Sequence, residues 1–137
     1  MAFDEKIEHY ALQRHIVPGH DLIKSPEQLE GIRQSSKLNI AILDEIADKI
    51  HIGMSTEEID RIVVDMTKQM GGISATLGYE GYPKSVCTSI NEVVCHGIPD
   101  PERLLQDGDI VNVDVSTIYN GYFSDSSRMF MLGDVAP

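Results

Sequence analysis

The hydrophobic and polar positions fall into two regimes along the chain. Between residues 25 and 70 the apolar positions recur at helical spacing. Ser25-Pro26-Glu27-Gln28 offers an N-cap serine, a proline at the first helical position and a glutamine three after the cap. Leu29, Ile32, Ile40, Leu43, Ile46, Ala47 and Ile50 follow near the 3.6 period, with a weakly polar stretch at Ser35-Ser36, and predict a long helix from about 26 to 50. His51-Ile52-Gly53 ends it. Ser55-Thr56-Glu57-Glu58 is a second capping box. Ile59, Ile62, Val63, Met66 and Met70 then mark one face of a second helix, which stops at Gly71-Gly72. The methionines on that face read as core filler.

From Ile73 the period changes. Gly78, Gly81 and Pro83 punctuate a tyrosine-rich loop. Ser85 to Ile90 reads as a strand, Asn91-Glu92 as a turn, Val93 to His96 as a second short strand and Gly97 to Pro101 as a loop. After the turn signal Gln106-Asp107-Gly108-Asp109, residues Ile110 to Thr117 alternate with period two. Asn120-Gly121 predicts a tight hairpin, with Tyr122 to Leu132 as the returning strand. Residues 1–24 are mixed. His9, Arg14, His15, Pro18, Gly19 and His20 interrupt any long period there and predict a short helix followed by a loop or mobile arm. The three histidines lack compact ligand spacing and read as solvated surface groups. Two helices followed by an antiparallel sheet make an α+β arrangement.

Composition narrows the picture without redrawing it. The 137 residues carry 42% apolar and 24% charged positions, ordinary for one globular domain. The formal net charge of −11 argues against a nucleic-acid backbone or an anionic membrane as main partner. No apolar run approaches the roughly 20 residues that a membrane helix needs. The amino terminus carries acids where a signal peptide carries bases. Cys87 and Cys95, both in apolar, strand-like sequence, fit no zinc spacing and read as reduced thiols of a cytoplasmic protein, with a disulfide between them as the alternative.

The candidate chemistry lies on the hairpin. With Asn120-Gly121 as the loop, Tyr119 pairs with Tyr122 and Asp114 lies opposite Ser127. Asp125 has the same parity as Ser127, so it projects from the same face as Asp114, on the diagonal, roughly 7 Å away. Two such carboxylates repel unless a cation lies between them, and bridged pairs of divalent metals are a common hydrolytic device. Spacing alone favours two surface acids on a solvated face, since a metal pair needs more ligands than two aspartates. His96, beside Gly97, is either a structural histidine or a group placed to bond a substrate or a developing oxyanion. The glycine permits close backbone approach.

At these residues the chain resembles a known family. Gly78 to Pro99, Asp107 to Val115 and Asp125 to Phe130 look like type I methionine aminopeptidase, and the match runs from about residue 25 to the end. The resemblance implies the amino-terminal half of a pita-bread fold: two helices, then an antiparallel sheet with a metal-binding hairpin. Residues 25–137 would be that half and residues 1–24 an amino-terminal extension. It implies hydrolytic removal of the initiator methionine from nascent proteins, with two divalent metal ions (Co, Mn, Fe, Zn or Ni) and an activated water. Asp114 resembles the aspartate that binds one metal through both oxygens, and Asp125 the aspartate that bridges the two. His96 resembles the histidine that contacts the substrate amide and steadies the tetrahedral intermediate. Thr76, Tyr79, Tyr82 and Cys87 align with the wall of the methionine pocket, and such apolar, aromatic surface suits an unbranched thioether. The partner implied is the amino-terminal peptide of a nascent protein, with no nucleic acid and no membrane.

There are departures from the family pattern. Phe123-Ser124 stands where His-Gly is common before the bridging aspartate, Thr76 where cysteine is common, and Glu80 where histidine is common. Family members continue for about one hundred further residues, which carry a histidine and two glutamate ligands. After Asp125 the only acid here is Asp134, and no histidine follows His96. The chain alone is therefore expected to be inactive, and an isolated half to be oligomeric or poorly soluble although full-length relatives are usually monomeric. The alternative is a truncated, non-catalytic pita-bread fragment or binding module.

Overall fold

A computed structural model describes residues 3–17 and 19–136. Expectations touching Met1, Ala2, Pro18 and Pro137 lie outside the described residues. Helix α1 (Phe3–Leu12) occupies the amino-terminal arm, and among its described residues none is buried. Helices α2 (Pro26–Lys49) and α3 (Thr56–Gln69) begin at Ser25 and Ser55. Both caps form the reciprocal box. The amide of Gln28 donates to Ser25 Oγ at 3.2 Å while Ser25 N donates to Gln28 Oε1 at 2.8 Å. Ser55 and Glu58 repeat the arrangement. Each box satisfies amides that the first helical turn leaves unpaired.

The sheet contains β1 (Ile73–Ser74), β2 (Cys87–Ile90), β3 (Ile110–Tyr119) and β4 (Tyr122–Met131), all antiparallel to their partners. Strands β1 and β2 lie end to end along one edge of β3, and β4 pairs along the other. The hairpin register is the expected one, with Tyr119 opposite Tyr122 and Asp114 opposite Ser127. Asn120 and Gly121 both have positive φ, 50° and 82°, the type I′ geometry whose twist matches the strands. Gly121→Ala is expected to cost about 1 kcal/mol by urea unfolding, because a Cβ strains this left-handed position. An unchanged unfolding midpoint would refute that.

Val111, Val113 and Val115 of β3 turn toward α2 and α3 and are fully buried. They pack with Leu38, Ile42, Leu43 and Ile46 of α2, Ile59 and Val63 of α3, and Phe130 of β4. Burying each large aliphatic side chain contributes about 1.5–3 kcal/mol. Asp60 of α3, also buried, accepts a hydrogen bond from Ser85 N at 2.7 Å and so ties α3 to the approach into β2. The opposite face of the sheet is uncovered in this chain. It presents Asp114, Ser116 and Asp125, with Phe123, Met129 and Met131 exposed beside them.

Four expectations need correction. Val93 to His96 is not a strand. Asn91 and His96 have φ of 52° and 57°, which breaks extended pairing, and Val93 and Val94 are exposed. Cys95 therefore sits in an exposed loop, while Cys87 is buried, and both thiols are free. The strand expected from Ser85 begins at Cys87, because Ser85 N is engaged by Asp60. The buried face of α2 is rotated from the expected one. Leu29, Ile40 and Ala47 are exposed, whereas Ser35 and Asn39 are buried, since both side chains have hydrogen-bond partners on the sheet. Finally, β1 lies where a loop was expected to begin. Two residues are too few to show a period.

Candidate active site

The uncovered face of the hairpin forms the floor of a cleft of about 620 Å³. Thr76, Tyr79, Tyr82, Cys87, His96, Asp114 and Asp125 all line it. Every side chain singled out as a site residue from the sequence is thus brought to one place by four different segments. The loop after β1 supplies Thr76, Tyr79 and Tyr82. Strand β2 supplies Cys87, which lies opposite Asp114. The loop after β2 supplies His96, and the β3–β4 hairpin supplies the carboxylates.

Asp114 is half-buried and Asp125 exposed. Burial, then the charge of Asp125 and a hydrogen bond with it, push the carboxyl of Asp114 above its ordinary range, while His96 pulls the other way. A divalent cation between the two carboxylates would relieve that repulsion. Oxygen donors of this kind suit several divalent ions. They do not complete a site. Among the described residues, no group of three or more His, Cys, Asp or Glu could hold a metal ion. The donor set therefore fits part of a metal centre.

Tyr82 has its hydroxyl committed. Its single proton is shared between Val86 O at 3.1 Å and Gly97 O at 3.0 Å, and the residue lines the cleft. Burial and its neighbours raise the phenol's proton affinity, which keeps that donor in place. Gly97 is also gripped by Thr88 N on its carbonyl at 2.8 Å and by Ser89 Oγ on its amide at 3.2 Å. His96 is held at the cleft by this clamp on its neighbour. Cys87 lines the same cleft as His96, but burial pushes its thiol up, against a hydrogen bond with Tyr82 that pulls it down, and the charge of Asp114 adds to the rise. A thiol kept protonated is a wall, not an attacking group.

Ala75, Gly81 and Ser116 also line the cleft and are not among the site residues read from sequence. Ser116 lies opposite Asp125 and donates to its Oδ1 at 2.8 Å. The register that pairs Tyr119 with Tyr122 also pairs these two, so the signal was available. Phe123, read from sequence as a departure from the family pattern, is exposed at the rim. Its neighbour Ser124 also borders the cleft, but its hydroxyl is buried against α2.

Comparison with known proteins follows the same pattern. Residues 30–137 match the model of metallopeptidase family M24. The chain is 52% identical over 112 residues to methionine aminopeptidase of Escherichia coli K12, an alignment that covers 81% of this chain and 42% of that protein. Methionine aminopeptidase 1A of Arabidopsis thaliana is 45% identical over 130 residues, covering 95% of this chain, so that likeness extends into the amino-terminal arm, and 31% of the plant protein. The crystal structure of methionine aminopeptidase from Rickettsia prowazekii superposes with a TM-score of 0.81 at 41% identity, over 83% of this chain and 46% of that one. The chain spans less than half the length of these relatives. With the family model matched across the sheet, both packed helices and the cleft, the chain belongs to metallopeptidase family M24.

Proposed function

We propose that residues 25–137 are the amino-terminal half of a methionine aminopeptidase catalytic unit, with residues 1–24 an extension before it. The reaction is hydrolytic removal of the initiator methionine from nascent proteins in the cytoplasm. The observation that carries this reading is the placement of Asp114 and Asp125 on one face of the β3–β4 hairpin, on the floor of a cleft walled by Tyr79, Tyr82 and Cys87. The identity to methionine aminopeptidases supports it. Among the described residues, no helix is long and apolar enough to cross a membrane.

Asp114 and Asp125 would hold two divalent ions between them, with the remaining ligands supplied from outside this chain. Such ions polarise a peptide carbonyl and make a water nucleophilic at neutral pH. Ser116, donating to Asp125 Oδ1, fixes which oxygens of that carboxylate face the cleft. His96 places an imidazole N–H toward the scissile carbonyl, where it would stabilise developing negative charge. Thr76, Tyr79 and Tyr82 exclude water around an unbranched thioether side chain.

With only these two carboxylates, the isolated chain is expected to show no turnover of a Met-Ala-Ser peptide in the presence of added cobalt or manganese. The same chain joined to a family carboxy-terminal half is expected to release methionine. Turnover by the isolated chain that disappears in Asp114→Ala would overturn the half-site reading. Absence of turnover in the joined protein, with both halves folded, would overturn the assignment and favour a non-catalytic binding module.

A further inference from the structure

We propose that Asn39 and Ser35, on α2 behind the sheet, are positioning residues for the cleft carboxylates, an inference that rests on reading Asp114 and Asp125 as a metal pair. Alternation along a strand sends the neighbours of a cleft-facing residue to the opposite face. Val115 follows Asp114, while Ser124 and Ser126 flank Asp125, and all three face α2. Asn39 reaches both strands there. Its amide nitrogen donates to Val115 O at 2.6 Å and lies 3.4 Å from Ser124 O, and its amide oxygen accepts from Ser126 Oγ. One turn earlier, the Ser35 hydroxyl shares a hydrogen bond with Ser124 Oγ at 2.8 Å and lies 3.4 Å from Thr117 O. Thr117 Oγ1 and Ser124 Oγ share another at 2.8 Å.

Ser35, Asn39 and Thr117 are each at most 1% exposed. Apolar side chains would fill this space with no desolvation cost, so hydroxyls and an amide here are not explained by burial alone. Their bonds are directional, whereas packing is not. They set the height and rotation of α2 against the two strands immediately behind the carboxylates. Ser124 supplies the hydroxyl that joins Ser35 to Thr117. Groups that orient metal ligands from behind typically account for 10–100-fold in metal affinity.

The test uses Mn²⁺ as probe on the full 137-residue chain. Asn39→Ala is compared with wild type and with Val63→Ala, a core truncation that lowers stability but removes none of this ladder's hydrogen bonds. Amide hydrogen exchange is read along β3 and β4, and Mn²⁺ affinity by paramagnetic broadening. Asn39→Ala is expected to speed exchange at Val115, Asp125 and Ser126 at least 10-fold beyond Val63→Ala, and to weaken Mn²⁺ binding about 10-fold. Ser126→Ala, which removes one bond only, reports the same effect if Asn39→Ala does not fold. Equal behaviour of the ladder variants and Val63→Ala in exchange would overturn the proposal, as would local fraying that leaves Mn²⁺ affinity unchanged. Wild type that binds Mn²⁺ no better than Asp114→Ala would overturn the metal-pair reading, while the exchange result still decides whether α2 braces these strands.

Discussion

Asp114→Asn is expected to weaken Mn²⁺ binding by about 100-fold or more and, in the same chain without metal, to raise the melting temperature at pH 7 by about 3 °C. The two effects share one cause. The carboxyl of Asp114 is disfavoured as an anion by burial, and further by Asp125. Its folded-state proton affinity therefore lies above that of the unfolded chain. The native state binds protons more readily, so this group's contribution to stability is present at low pH. It is lost as pH rises from the ordinary aspartate value of 3.8 through the raised one. Asparagine keeps the shape and removes the charge, which flattens that part of the stability curve. A bound cation reverses the preference, because it needs the anion that folding disfavours. Thermal melts between pH 4 and 8 in chelator, together with Mn²⁺ titrations, check both effects. An asparagine variant less stable than wild type at pH 7, or one that binds Mn²⁺ equally well, would refute the argument. Instability of this kind in the free chain is the ordinary cost of a site prepared for a ligand.

The hairpin was legible from sequence because a two-residue turn sets register, and register sets parity. Asn120-Gly121 therefore fixes which residues share a face with Asp114 before any coordinate is known. The helix starts were legible for a similar reason, since each capping box is a local bond between named side chains. Three features were not. Hydrophobicity assigns Ile40 to the core and Asn39 to water, yet Asn39 is the buried one, because its partners are backbone and hydroxyl groups some eighty residues away in sequence. Val93-Val94 reads as strand by propensity, but positive φ at Asn91 and His96 turns it into an exposed loop. The cleft contains all seven residues singled out beforehand, but Ser116 required carrying the turn arithmetic one pair further.

The loop that misled the strand reading also holds a glycine with backbone on its Cβ side. Gly97→Ala is expected to destabilise the chain by about 3 kcal/mol. A Cβ at residue 97 would overlap the carbonyl oxygen of Thr88, with Thr88 C at 2.8 Å and Ser89 Cα at 3.1 Å. These are backbone atoms of β2, the strand paired with β3, so they cannot swing aside as a side chain would. Relief requires the loop to move away from β2. That motion breaks the bonds that Gly97 O accepts from Thr88 N and Tyr82 Oη, and the one its amide donates to Ser89 Oγ. His96 moves with its neighbour. A displacement of about 1 Å at a catalytic group costs on the order of 100-fold in rate, so in a protein with both halves of the cleft the same substitution should depress turnover well beyond what its stability loss explains. Urea unfolding of the chain, read beside the ring signals of His96, separates the two consequences. A variant within 0.5 kcal/mol of wild type, with those signals unmoved, would mean that β2 and the loop tolerate the extra carbon, and that the clamp on Gly97 is not what holds His96 at the cleft.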